Sequence, residues 1–68
     1  MRDIKRIEPI MNKVKDFWEK HQDLRFSQML DYLISLCYEA NGNDGSDIFF
    51  WEEDKWSELL DKVNTPKN

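Results

Sequence analysis

The side chains suited to nucleophilic chemistry are one cysteine and one histidine, Cys37 and His21. A thiolate–imidazole pair needs hydrogen-bond reach. The helical periods around them put His21 at the end of one helix and Cys37 about twelve residues up the next. At a rise of 1.5 Å per residue, that is roughly 15 Å in an antiparallel hairpin, too far for a dyad. One Cys and one His are also too few for a zinc centre. Cys37 therefore reads as a small core residue and His21 as a helix-end residue beside an interhelical turn. Glu52-Glu53-Asp54 offers paired carboxylates, but acids at a helix start are common because they oppose the helix dipole. Residues 41–52 match a twelve-residue calcium loop poorly. Glu52 is the acid required at the twelfth place, yet Asn41 stands first, Gly45 offers no side chain at the fifth, and Ser46 replaces the glycine of the sixth. No Gly-rich phosphate loop, HExxH pattern or CxxC pair occurs. The expectation is a protein with no catalytic, cofactor or metal site, not an enzyme.

Two other groups suit the binding of a macromolecule. On a continuous first helix, Arg2, Arg6, Lys13 and Lys20 fall within about 40° of one another at 100° per residue. Such a stripe suits phosphate contacts and makes a nucleic-acid-binding accessory protein the alternative reading. Asp16 and Glu19 lie close by, the pI is about 4.8, and no base-reading motif is visible. Phe49, Phe50 and Trp51 are the second group. An extended segment alternates its faces, so the three cannot all point inward. They form either a lid over the helices or an anchor for a protein partner. Arg25 is the only Lys or Arg between residues 21 and 40. It is expected to form an ion pair with Glu52, Glu53 or Asp54, or else to belong to the same interaction surface as Phe49, Phe50 and Trp51.

The elements that must position these groups are legible as periods. Ile7, Ile10, Met11, Val14, Phe17, Trp18 and His21 recur at steps of three and four, one face of a helix. Asp3 is its candidate N-cap. Pro9 is tolerated only in a first turn, so regular helix is expected from about Pro9 to Lys20 after a tight lead-in over residues 4–8. A second pattern runs from about Arg25 to Glu39, with Phe26, Met29, Leu30, Leu33, Ile34, Leu36, Cys37 and Ala40 as its apolar set. Asp23 is its candidate N-cap, with Leu24 and Phe26 inserted in the core. The connection is short, which makes the two helices antiparallel neighbours. Residues 41–47 hold both glycines and no apolar side chain, so they form a loop, with Gly42 placed to end the helix in the left-handed conformation. Ile48-Phe49-Phe50-Trp51 reads as an extended lead into a third helix, from about Glu52 to Val63, whose inward stripe is Trp56, Leu59, Leu60 and Val63.

Composition agrees with one small folded unit. The chain has 68 residues, 40% hydrophobic and 13% aromatic, more aromatics than a disordered segment carries. A core of this size is marginal, and a single cysteine allows no internal disulfide, so self-association is the available supplement. A possible homodimer follows as an expectation. The N-terminal residues lack the apolar run of a signal peptide, no stretch approaches the roughly 18 apolar residues of a membrane span, and a lone thiol is consistent with a reducing cytoplasm. Residues 1–20 carry six Lys/Arg against four Asp/Glu, and residues 41–68 three against seven. Ends of opposite charge help one small domain pack together. The fold expected is all-α: a small three-helix domain over residues 1–64, a helical hairpin with the C-terminal helix packed across it through the aromatic segment, followed by a disordered tail at 65–68.

Arg2-Asp3, Arg6-Ile7, Trp18, Asp23-Leu24-Arg25-Phe26, Gln28-Met29-Leu30 and Ile48-Phe49-Phe50 with Glu52-Glu53-Asp54 carry a resemblance. In that order they resemble a group of short bacterial and phage proteins without an established activity, whose pattern reads Arg-Asp, Arg-Ile, Trp, Pro-Asp-Leu-Arg-Leu-Gly-Gln-Leu, then Asp-Pro-Phe-Tyr and an acidic helix start. The YihD-like family is similar in layout at a greater distance. The likeness spans most of residues 2–60 and departs at Gln22 and Ile48, where prolines would stand, and at Ser27, where Gly is usual. It implies a small cytoplasmic helical protein, often of phage or prophage origin, and no catalytic residue. The function expected is a protein–protein interaction or regulatory module.

Overall fold

Pro9 governs how the chain enters its first helix. A proline has no amide proton to place in the ladder, and only the first turn can do without one. The computed structural model, which describes residues 3–65, solves this with a 3-10 turn, Ile4–Arg6, ahead of α1, Ile7–Lys20. The Asp3 carboxylate caps that turn by accepting the Lys5 amide at 2.9 Å. Pro9 thus sits at the third position of α1, which begins two residues earlier than expected.

The elbow is wound more tightly than a plain loop. The His21 amide donates to the Trp18 carbonyl at 2.9 Å, and the Leu24 amide to that of His21 at 3.1 Å. Trp18 Nε1 donates to the Leu24 carbonyl at 2.9 Å. Because the chain stays coiled through Leu24, the first extended residue is Arg25. Arg25, not Asp23, is therefore the N-cap of α2, Phe26–Ala40. Arginine has no acceptor to offer a helix start, so Gln28 supplies the cap by reaching back to accept the Arg25 amide at 2.9 Å. α2 ends at Gly42, whose φ of 85° is left-handed. The Asn43 amide then closes on the Tyr38 carbonyl at 3.2 Å.

The link to α3, Glu53–Asn64, coils instead of running extended: Ile48–Phe50 form a second 3-10 turn. Thr65 closes α3, its amide and hydroxyl both donating to the Asp61 carbonyl, at 3.0 and 2.6 Å. Thr65 thus belongs to a helix cap, and the rest of the expected tail lies outside the described residues.

The three helices make an all-α domain in which α3 fills one side of the elbow. Arg6 meets Glu53 at one end and Lys20 meets Asn64 at the other, so α1 and α3 run parallel. α3 packs against both other helices, more closely than those two pack on each other. The buried core is Phe17 of α1, Met29, Leu33 and Cys37 of α2, and Leu59 and Leu60 of α3. Ile10, Val14, Leu24, Trp56 and Val63 pack around it. Phe26, expected inside, is 56% exposed and lies against Trp18, ring centres 5.5 Å apart. Among the described residues no helix is long and apolar enough to cross a membrane.

Candidate interaction surface

The Ile48–Phe50 turn is built to hold two phenylalanines in solvent. Its geometry follows from the 3-10 period, in which residues three apart share a face. Ile48 and Trp51 therefore point one way, and Phe49 and Phe50 are left outside. Ile48 lines a cleft with Ile34 and Tyr38 of α2. Trp51 stacks on Tyr38 with an interplanar angle of 11° and packs on Trp56 at 4.9 Å. Lys55 Nζ sits 4.9 Å from the Trp51 ring centre. Phe49 and Phe50 remain 83% and 73% exposed and meet edge to face at 5.1 Å.

The preceding loop fixes this turn by hydrogen bonds. Asp47 caps it, accepting the Phe49 amide at 2.9 Å. Asp44 accepts the Ser46 amide at 2.9 Å and the Ser46 hydroxyl, and takes Asn41 Nδ2 at 3.0 Å. Those bonds from Ser46 hold the Asp44 carboxyl below the ordinary aspartate value of 3.8. Ser46 Oγ in turn accepts Trp51 Nε1 at 3.1 Å. The loop considered for calcium thus directs Asp44 and Asp47 to its own backbone and side chains. Among the described residues no group of His, Cys, Asp and Glu gathers in a way that could hold a metal ion.

Beside Phe50 runs a shallow groove of about 690 Å³, lined by Glu52, Asp54, Lys55 and Glu58. The surface is therefore apolar at its centre and acidic at one edge. Trp51 serves as the anchor of the turn and is half-buried. Arg25 is not part of this surface. It caps the opposite end of α2, whose 15 residues span about 22 Å at 1.5 Å each. Nor does Arg25 form an ion pair among the described residues. The arginine that reaches the acids of the third helix is Arg6, Nε to Glu53 Oε1 at 2.8 Å.

The basic stripe is turned onto α3. Lys13 Nζ donates to Ser57 Oγ at 2.8 Å and Asp61 Oδ1 at 2.7 Å, and Lys20 Nζ to the Asn64 carbonyl at 2.7 Å. Arg2 lies outside the described residues. Cys37 is fully buried, and burial pushes its thiol up to about 11, which leaves it protonated and unreactive at neutral pH. His21 stacks on Phe17 at 4.3 Å and approaches the Phe17 carbonyl at 2.9 Å through Nδ1. A carbonyl can only accept, so Nδ1 carries the proton.

Sequence periodicity missed a second apolar surface, Ile7, Met11 and Trp18 of α1 with Phe26 of α2, all exposed. A signal was available: the apolar arc of α1 is wider than one neighbouring helix can cover. No family model, no curated protein and no solved structure matches this chain.

Proposed function

We propose that this protein is a small protein–protein interaction module that docks through Phe49 and Phe50. The observation that carries this is the exposure of two adjacent phenylalanines on a turn held by Ile48, Trp51 and Asp47. Exposed aromatics on a rigid support lose little entropy on binding and are the usual anchors of interfaces. The acids beside Phe50 suit a partner with an apolar pocket and a basic rim. Such a rim could be one that otherwise holds nucleic acid, which would give the module a regulatory role. A cytoplasmic setting and a phage or prophage origin rest on the resemblance carried by Trp18, Asp23-Leu24-Arg25 and Ile48-Phe49-Phe50. Direct nucleic-acid binding through Arg6, Lys13 and Lys20 is the weaker reading, because a phosphate would have to displace their contacts with α3.

The test is quantitative affinity capture from the source cells with the wild-type chain and with Phe49→Ala/Phe50→Ala as baits. Proteins retained by the wild type should be lost from the variant and should elute with salt, while the melting temperature stays unchanged. An identical captured set from both baits rules the docking role out.

A further inference from the structure

The loop after α2 holds two peptide steps that can react with themselves, and the reading of them does not depend on a docking role for Phe49 and Phe50. Asn41 is the one asparagine followed by glycine, and Asp44 the one aspartate followed by glycine. In such a pair the glycine amide nitrogen, with no side chain beside it, can attack the preceding side-chain carbonyl carbon and close a five-membered succinimide. At Asp44 that path is blocked. The Ser46 bonds hold its carboxyl below the ordinary 3.8, and an ionised carboxylate has no leaving group to give up. At Asn41 the leaving group is ammonia. Gly42 is exposed, and a Cβ built on it would meet nothing within 4 Å, so a ring closed there meets no obstruction.

Three restraints hold Asn41 short of closure. Its ψ is 6°, so Gly42 N lies eclipsed with Asn41 N, whereas the ring needs it beside Cβ. The Gly42 amide is committed to the Glu39 carbonyl at 2.9 Å. Asn41 Nδ2 donates to Asp44 Oδ2 at 3.0 Å, which turns the side chain towards the loop. Removing the first two restraints means unwinding the last turn of α2, the local opening that helix ends undergo. We propose that Asn41 is a site of self-modification gated by these contacts. When the end of α2 opens, Gly42 N bonds to Asn41 Cγ, the Cγ–Nδ2 bond breaks, and the Gly42 amide proton leaves with Nδ2 as ammonia. Water then opens the succinimide at either carbonyl, giving aspartate or isoaspartate. The product carries a carboxylate where an amide had donated to Asp44, and two carboxylates repel. Asp44 organises Ser46, and Ser46 accepts Trp51 Nε1, so the conversion loosens the anchor of the aromatic turn.

Peptide mass spectrometry of the full chain, aged at neutral pH in native buffer and in guanidinium chloride, tests the gate. Asn41 should convert at least about tenfold faster in the denaturant, where the restraints are gone, while Asn12, Asn43 and Asn64 change far more slowly. Isoaspartate should accumulate together with aspartate, the mark of a succinimide. In native buffer Asp44→Ala should convert severalfold faster than the wild type. In denaturant the two should convert at one rate, which separates the lost hydrogen bond from a direct effect of the neighbouring charge. Gly42→Ala should slow the conversion in denaturant, because a side chain then hinders the attacking nitrogen. Equal wild-type rates in the two solvents overturn the proposal, and that comparison stands even where a variant perturbs folding. So does an Asn41 that stays intact in denaturant, or an Asp44→Ala chain that ages no faster than the wild type in native buffer.

Discussion

The two flanks of α1 are treated in opposite ways. One carries Arg6, Lys13 and Lys20 at intervals of seven, and each finds an acceptor on α3. The other carries Met11 and Trp18 at the same interval, with Ile7 one turn before Met11, and α3 does not cover them. The polar flank is therefore the internal seam, and the apolar flank is the one left to solvent. Hydrophobicity alone would have placed α3 on the other side. Ion pairs as exposed as Lys13–Asp61, at 25% and 63%, add little stability each. They make α3 choose a side and a register, while Leu59 and Leu60 supply the burial.

That division of labour can be broken at several points. Leu60→Ala, in the core behind the seam, should cost about 2–5 kcal/mol in chemical denaturation. Phe26→Ala on the open flank should change the stability by no more than about 1 kcal/mol. Equal losses at the two sites would show that both flanks are core. Lys13→Ala should cost about 1 kcal/mol or less, and the cost should shrink in high salt. A larger, salt-independent loss would make the seam an energetic element as well as a guide. Arg25→Ala should shift stability by less than about 0.5 kcal/mol, since Gln28 caps the backbone amide there and no ion pair is lost. The smallest effect is expected at the loop. The Asp44 carboxyl is held below the ordinary 3.8, so the folded chain binds that proton less readily than the unfolded one. Its contribution is complete above that pH and fades as the pH falls through the lowered value. Asp44→Asn should flatten the acid limb of the stability profile slightly, and an unchanged limb would mean that the Ser46 bonds are not maintained in solution.

Much of the fold was legible because periodicity and punctuation agree. Pro9 and Asp3 mark the lead-in, Gly42 the end of α2, and Leu59 and Leu60 the inner stripe of α3. The misread positions were those where a tertiary partner decides between equal local options. Asp23 is a better capping residue than Arg25, but the turn through Leu24 moved the helix start past it. Phe26 continues the apolar face of α2, and only the position of α3 determines that this edge is uncovered. The ion pair expected of Arg25 belongs to Arg6, because parallel α1 and α3 bring their N-termini together. Phe49 and Phe50 were legible as surplus aromatics. Their separation from Trp51 was not, because alternation and the 3-10 period sort the same three residues differently.

The seam also dictates an order of events. Its bonds link residues 44 to 51 positions apart in a chain of 68, whereas the elbow joins Trp18 to Leu24 across six. Contacts so far apart in sequence pay the largest loop-closure entropy and form late. During synthesis, which proceeds from the N-terminus, the elbow can close while α3 is still being made. Until then Arg6, Lys13 and Lys20 lack the acceptors that Glu53, Ser57, Asp61 and Asn64 later supply. Residues 1–40 carry seven Lys/Arg and seven Asp/Glu, so the nascent pair of helices is neutral overall, and the chain turns acidic only as residues 41–68, with three against seven, are added.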